Sequence, residues 1–266
     1  MIEVRNISAG YNDKNILSGI SLSLSKGKLI SLIGQNGAGK STLLKTILGI
    51  MTAKNGQIIF DGKASSELSR RDIARKAAYL AQGKSVADMT VEQMVLHGRF
   101  PHLSYPRRYS EKDREIAYGA LTRMGIAGMA DRPLCSLSGG IRQKAYIALA
   151  LAQDTDYILL DEPTTYLDIA NQVELMNILR DLADGGKGVV TVMHDLPLAF
   201  GFSDGIAVIK DGKIAVCDTP DNVCRSGIVR DVFNIDLQYS VDENSYSYRY
   251  ILPARNTQDT CNNIRR

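Results

Sequence analysis

Short apolar segments alternate with longer amphipathic segments along most of the chain. Residues 28–34 (KLISLIG), 157–162 (YILLDE) and 188–195 (GVVTVMHD) are each a short, nearly continuous apolar run, which is typical of buried parallel strands. Residues 40–50 (KSTLLKTILGI) and 169–186 (IANQVELMNILRDLADGG) instead place apolar residues at helical spacing. This alternation of strand and helix predicts a doubly wound α/β fold.

Two further segments predict antiparallel structure beside the parallel strands. Residues 55–63 (NGQIIFDGK) and 205–218 (GIAVIKDGKIAVCD) carry Asn-Gly or Asp-Gly pairs between alternating residues. Such pairs favour tight turns in β-hairpins. We therefore predict a mixed sheet with an antiparallel β subdomain.

Strand signals are absent from about Asp88 to Ser136, where two helix starts are predicted instead. Thr90 with Gln93, and Ser110 with Asp113, have the spacing of capping boxes. We predict a helical subdomain over about residues 88–136, inserted into an α/β domain.

The α/β domain is predicted to span residues 1–235, and residues 236–266 are assigned to a C-terminal appendage. Within this segment, LQYSV and YSYRYILP alternate around a polar ENS turn, which suggests a terminal hairpin or appendage. Its role cannot be inferred from the residues.

Composition and charge narrow the classes of function. The net charge is +3 over 266 residues, and basic residues are interspersed with acidic ones, which argues against a nucleic-acid partner. The N-terminal residues MIEVRNISAGY lack the pattern of a signal peptide, and no apolar run approaches the roughly 20 residues that cross a bilayer. We expect a chain that stays in the cytoplasm.

The most specific motif is GQNGAGKS at residues 34–41, which fits G-x-x-x-x-G-K-[ST] between a predicted strand and a predicted helix. Its glycines let backbone N–H groups close around phosphates, Lys40 reaches the terminal phosphates, and the Ser41 hydroxyl can ligate Mg²⁺. A glycine turn without a ligand is the alternative. The motif predicts a P-loop NTPase, with Gly34, Asn36, Gly37, Ala38, Gly39, Lys40, Ser41 and Thr42 as its nucleotide-binding residues.

Three residues at predicted strand ends can complete a hydrolytic site. Asp161 is placed to hold the same Mg²⁺ ion, and Glu162 could accept a proton from an attacking water. His194 could contact the γ-phosphate as a neutral imidazole. The alternatives are a salt bridge or a helix-terminal charge for Glu162, and simple packing for His194.

A second glycine turn, in CSLSGGIRQKAYIALALAQ from Cys135 onward, opens a predicted helix. Unpaired N–H groups at a helix start carry partial positive charge and can hold a phosphate. No lysine follows these glycines, so the turn does not fit a second P-loop.

With GQNGAGKST, LSGGI, YILLDEPTTYLD and VTVMHD in this order, the chain resembles the nucleotide-binding subunit of ATP-binding-cassette (ABC) transporters over roughly residues 2–235. No Asn-Lys-x-Asp motif is present, which weighs against a GTPase. The resemblance implies ATP hydrolysis in a head-to-tail dimer. In that dimer Ser138, Gly139 and Gly140 of each chain would close on the γ-phosphate of ATP held by the other.

Three further roles are implied by the same resemblance. Tyr11 would stack on adenine, Gln82 would sense Mg²⁺ and water while moving with a membrane partner, and Asp168 would cross the dimer interface. Without the resemblance, Tyr11 would be interpreted as a core aromatic and Gln82 as a loop amide. One departure is Ile141, where the family usually has Gln, so we expect a weaker ATP-bound dimer.

Within the family, VLHGRFPHLSYP (residues 95–106) and the C-terminal appendage resemble the ATPase subunits of importers for iron-siderophore, haem or cobalamin. The implied partners are a second ATPase subunit, identical or similar, two membrane-spanning permease subunits and, indirectly, a substrate-binding protein. The implied location is peripheral, on the cytoplasmic face of the inner membrane.

Two other hypotheses stay open from the sequence. A soluble ABC ATPase acting on a protein assembly, such as an iron-sulfur cluster scaffold, would have the same motifs. A noncatalytic phosphate-binding regulator is disfavoured by the intact set of Lys40, Asp161, Glu162 and His194.

Overall fold

A computed structural model describes residues 1–12, 14–83, 88–165, 167–242 and 245–251. These residues form two main sheets, a helical lobe and a C-terminal hairpin. The strands are β1 (Ile2–Tyr11), β2 (Lys14–Leu24), β3 (Leu29–Ile33), β4 (Asn55–Phe60), β5 (Lys63–Ala64), β6 (Ala77–Leu80), β7 (Tyr157–Asp161), β8 (Gly188–Val192), β9 (Gly205–Lys210), β10 (Lys213–Asp218), β11 (Asp236–Asp242) and β12 (Ser245–Ile251).

Helices cover the sheets and build the lobe. They are α1 (Lys40–Ile47), α2 (Arg70–Lys76), α3 (Val91–Leu96), α4 (Glu111–Arg123), α5 (Gly139–Ala152), α6 (Ile169–Asp184), α7 (Leu196–Phe202), α8 (Pro220–Arg225) and α9 (Ile228–Phe233). Short 3-10 turns cover Ser65–Glu67, His97–His102, Ala127–Met129 and Leu134–Ser136.

The larger sheet has the strand order β10-β9-β3-β8-β7-β6 and is parallel except for β10. Strands β7 and β8 are buried along their whole length, which explains their nearly continuous apolar sequences. In register, Leu32 pairs with Val192, and Asp161 pairs with Val192 from the other side. The carboxyl ends of β3, β7 and β8 therefore lie side by side at one edge.

The smaller sheet is antiparallel, with the order β2-β1-β4-β5. The Asp-Gly pair at residues 211–212 forms the predicted turn between β9 and β10. The Asn-Gly pair at residues 55–56 instead starts β4, and the turn to β5 falls at residues 61–62. The predicted mixed sheet with an antiparallel subdomain is confirmed.

The predicted helical insertion is also confirmed. Capping boxes start α3 at Thr90 and α4 at Ser110. Helix α5 packs its buried face against α3 and α4 in one apolar core, so the helices of the lobe continue beyond residue 136. Among the residues that the structure describes, none of the helices combines the length and apolar character needed to cross a bilayer.

A buried ion pair ties the lobe together. Arg99 Nε donates to Asp113 Oδ1 at 2.9 Å, and Arg99 Nη1 donates to the Ala152 carbonyl at 2.9 Å. Burial alone would raise the pKa of Asp113, but hydrogen bonds from Ser110 and the bond and charge of Arg99 outweigh it and hold the pKa at about 2. The ordinary value is 3.8, so the bonds that Ser110 and Arg99 make to the ionised carboxylate together stabilise the fold above about pH 4, and this stabilisation is lost as the pH falls through about 2.

We expect Arg99→Leu to lower the free energy of unfolding by about 3 kcal/mol, because it leaves a buried carboxylate without its partner. Urea unfolding of the purified chain measures this. Arg114→Leu is the matched control, since Arg114 on α4 pairs with Glu92 at 3.5 Å through side chains that are 50% and 34% exposed. A loss below about 1 kcal/mol is expected there. Equal losses in both variants would contradict the proposed contribution of burial.

The C-terminal appendage contains an antiparallel hairpin, β11–β12, with Asp236 paired to Ile251 at its open end. The alternating sequence predicted this hairpin. Residues 252–266 of the predicted appendage lie outside the described residues.

Candidate active site

The loop at residues 34–39 joins β3 to α1 and ends at a glycine in a left-handed conformation. Gly39 caps the N-terminus of α1 with φ of 105°, a conformation that favours glycine. A Cβ at Gly39 would lie 2.6 Å from Leu17 Cδ2. The loop therefore needs a glycine here, and it leaves the first N–H groups of α1 without a side-chain cap.

Lys40, the first residue of α1, is only 5% exposed. Its ammonium donates to the carbonyls of Gly34 at 2.7 Å and Gln35 at 3.0 Å. Burial lowers the pKa of Lys40, and the charges of Glu162 and Asp161 act against this shift. An anion bound in the loop would compensate the same buried charge, as a phosphate does.

Ser41 and Asp161 meet although 120 residues separate them. Ser41 Oγ donates to Asp161 Oδ1 at 2.9 Å, and Tyr79 OH donates to Asp161 Oδ2 at 3.1 Å. Adjacent ligands of an octahedral magnesium ion with metal–oxygen distances of about 2.1 Å lie about 3.0 Å from each other. The hydroxyl and the carboxylate thus have the chemistry and the spacing of a Mg²⁺ ligand pair.

Glu162 follows β7 with φ of 53°, a left-handed conformation that costs a non-glycine residue on the order of 1–3 kcal/mol. Its side chain is 14% exposed. One carboxylate oxygen lies 2.6 Å from His194 Nε2, and the other accepts from Gln82 Nε2 at 2.6 Å and from Thr165 Oγ1 at 3.3 Å. Contacts from three residues, which follow β6, β7 and β8, therefore fix the position of this carboxylate.

A cavity of about 430 Å³ joins Lys40, Ser41 and Glu162. It can accept a nucleotide phosphate chain between the P-loop and the residues after β7 and β8. Its lining is Ile16, Asn36, Gly37, Gly39, Lys40, Ser41, Thr42, Gln82, Glu162 and His194. A neighbouring cavity of about 370 Å³ is shared by Gln82, Asp161, Glu162 and, from α5, Gly139.

Several residues predicted for the site lie outside the 430 Å³ cavity. Tyr11 is exposed at the end of β1. Ser138, Gly139 and Gly140 form the start of α5, where Ser138 makes no side-chain capping bond. Asp168 caps α6, accepting from the Asn171 backbone N–H and side-chain amide at 2.8 Å each. The roles of all predicted site residues remain predictions.

Three residues that contact the site were not predicted from the sequence. Tyr79 on β6 and Thr165 bind the two carboxylates described above. Gln143 on α5 donates through Nε2 to the Pro163 carbonyl at 2.8 Å, next to Glu162. Thr165 lies within the segment YILLDEPTTYLD and Gln143 within CSLSGGIRQKAYIALALAQ, but neither motif predicts these contacts. Only the pairing of β6 with β7 brings Tyr79 near Asp161.

Comparisons with known proteins place these features in context. The family model described as "ABC transporter" matches residues 17–165. The iron(3+)-hydroxamate import ATP-binding protein FhuC of Bacillus subtilis is 41% identical over 243 residues, which is 91% of this chain and 90% of that protein.

Two solved structures share the fold. A metal-chelate type ABC transporter in an inward-facing conformation aligns with a TM-score of 0.81 and 27% identity, over 94% of this chain and 97% of that chain. The dimeric ATP-binding cassette MJ0796, in a post-hydrolysis state bound to ADP and Pi, aligns with a TM-score of 0.73 and 27% identity, over 83% and 99%.

Proposed function

Since this chain belongs to the ABC transporter family, whose ATP-binding subunits hydrolyse ATP, we propose that it powers uptake of a metal chelate, of the iron-siderophore, haem or cobalamin type. The observation that carries the proposal is the 41% identity over 91% of the chain to a protein named for iron(3+)-hydroxamate import. The metal-chelate transporter of the same fold supports the same substrate class.

The site geometry supports specific roles in hydrolysis. Lys40 and the P-loop N–H groups would hold the β- and γ-phosphates, and Ser41, Asp161 and Gln82 would hold Mg²⁺, which neutralises phosphate charge when bound. Glu162 would take the proton from the water that attacks the γ-phosphorus, while the bond from the γ-phosphorus to the ADP oxygen breaks. His194, 2.6 Å from Glu162, would orient this carboxylate and contact the γ-phosphate.

The start of α5 is proposed to act on a second copy. Among the described residues, nothing lies within 4 Å of a Cβ built on Gly139, and a Cβ on Gly140 would meet Leu167 Cδ2 at an ordinary 3.7 Å. The fold of the chain itself therefore does not require glycine at either position. A phosphate that approaches the backbone from a partner chain would require it, and the MJ0796 cassette is a dimer with bound ADP and Pi.

We expect Ile141→Gln to tighten ATP-driven dimerisation about fivefold, the effect of one added hydrogen bond of about 1 kcal/mol. Ile141 is half-buried against the core of the lobe, so Ile141→Leu is the matched control for packing and should leave dimerisation unchanged. Analytical ultracentrifugation with ATP measures both. If Ile141→Gln dimerises like the unaltered chain, the predicted cost of isoleucine is wrong.

An apolar face is proposed to dock the membrane-spanning partners. Ile50 is 60% exposed and lines a groove of about 320 Å³ with residues of α2. Arg71 and Arg75 of α2 donate to the Pro101 carbonyl. Tyr105, four residues further along the chain, is 97% exposed. Docking here would place the chain peripherally on the cytoplasmic face of the inner membrane.

The test is purification of the chain from gently solubilised native membranes, followed by identification and stoichiometry of its partners. Two copies with a polytopic membrane dimer support the transporter proposal, and a chelate bound to that complex identifies the cargo. A soluble assembly without membrane protein would overturn the proposal in favour of an ATPase acting on a protein scaffold.

A further inference from the structure

The C-terminal hairpin is docked on α7, the helix that follows His194. The rings of Phe200 on α7 and Tyr248 on β12 have centroids 5.3 Å apart and are tilted by 57°, a favourable arrangement for an aromatic pair. Tyr248 OH donates to Asp221 Oδ1 at 2.8 Å. Strand β12 is therefore fixed against both α7 and α8.

Tyr250, two residues further along β12, completes the hydrogen bonding of the first turn of α7. Pro197 has no N–H, the Leu198 N–H donates to Asp195 Oδ1 at 2.8 Å, and the Ala199 N–H donates to the Asp195 carbonyl at 3.0 Å. The remaining donor, the Leu196 N–H, donates to Tyr250 OH at 3.2 Å. The appendage thus supplies an acceptor that a helix start would otherwise lack.

His194 lies between two anchored points of the backbone. On one side the Met193 N–H donates to the Leu32 carbonyl of β3 at 3.1 Å. On the other side α7 begins at Leu196, held by Asp195 and Tyr250. Because only Asp195 separates His194 from that turn, a shift of the turn moves the imidazole away from Glu162, 2.6 Å from its Nε2.

We propose that Tyr250 is a positioning residue for ATP hydrolysis, acting through the start of α7 to hold His194 against Glu162. This inference rests on the role of His194 proposed above. The C-terminal hairpin would then have a function, which is to hold the helix that begins two residues after His194.

Tyr250→Phe tests the inference, with Tyr248→Phe as the matched control. Each variant removes one hydroxyl from the same strand and keeps its ring, but only the Tyr250 hydroxyl reaches the turn after His194. For the full chain at concentrations that allow dimerisation, we expect Tyr250→Phe to lower kcat about threefold to tenfold, with KM for ATP within about twofold. Tyr248→Phe should leave both unchanged.

A spectroscopic measurement separates positioning from general loosening. The chain has three histidines, and in ¹⁵N-labelled protein the imidazole signal of His194 should shift in Tyr250→Phe but not in Tyr248→Phe. The signals of His97 and His102 should stay in place in both. An unmoved His194 signal, an unchanged kcat, or equal changes in the two variants would overturn the inference.

His194→Ala distinguishes failure of the inference from failure of the proposed function. If His194→Ala loses turnover while Tyr250→Phe is normal, the role of Tyr250 is wrong and the hydrolytic site stands. If His194→Ala keeps full turnover, the assignment of His194 itself is wrong.

Discussion

Glu162→Gln will lower kcat for ATP hydrolysis by about 10²- to 10⁴-fold, the range associated with removal of a general base. Glutamine keeps the size and the left-handed backbone at this position, and its amide can still contact Gln82 and His194. It cannot take up the proton of the attacking water. ATP binding should therefore persist, since Lys40 and the P-loop are unchanged, and the ATP-bound dimer should accumulate.

Phosphate release and gel filtration in the presence of ATP measure the two expectations for Glu162→Gln. Glu92→Gln is the control, because it makes the same chemical change at an exposed ion pair on the helical lobe and should turn over normally. Full turnover by Glu162→Gln would assign the proton acceptor elsewhere.

Gly140→Ala should make the chain more stable and less active. Gly140 is the second residue of α5, its backbone is not left-handed, and a Cβ there has ordinary contacts. Alanine in a helix is favoured over glycine by roughly 0.5–1 kcal/mol, so the free energy of unfolding should rise by up to that amount. ATP turnover should nevertheless fall about 10- to 100-fold, because the new methyl group would occupy the place of the partner chain's phosphate and weaken charge-assisted hydrogen bonds.

Gly119→Ala is the matched control for that effect. Gly119 lies within α4, and in the part of the chain that the structure describes nothing is within 4 Å of a Cβ built on it. It should gain similar stability without losing turnover. Urea unfolding and steady-state ATPase assays on both variants make the comparison. Undiminished turnover by Gly140→Ala would contradict the proposed contact with a phosphate of the second copy.

The parts of the site that follow from local sequence were predictable. The P-loop is one continuous segment between a strand and a helix, and Asp161, Glu162 and His194 lie at or just after the ends of apolar runs that the sequence predicts as strands of a parallel sheet. Parallel register then places their side chains at one edge. Helix starts at Thr90 and Ser110 depend only on residues three positions apart, so they too could be predicted.

Contacts between distant segments could not be predicted in the same way. Tyr79 reaches Asp161 across a strand pair, and Tyr250 reaches α7 from the appendage; neither spacing has a sequence signature. Asp168 shows a different difficulty, since an Asp before a helix can cap it or serve a partner chain, and in this chain it accepts two bonds from Asn171. The burial of Ile141 also could not be predicted, because it depends on how α5 packs in the lobe.

Helix α5 begins with the glycine turn proposed to act on the second copy, and its Gln143 is bonded to the carbonyl of Pro163, the residue after Glu162. In a head-to-tail dimer, one rigid helix would thus touch the phosphate at one site and the catalytic loop of the other. ATP bound at one site would then change the binding free energy of ATP at the other site. Thermodynamic linkage requires this effect to be equal in both directions. In that dimer, the bond from Gln143 to Pro163 would provide a physical basis for cooperativity between the two ATP sites.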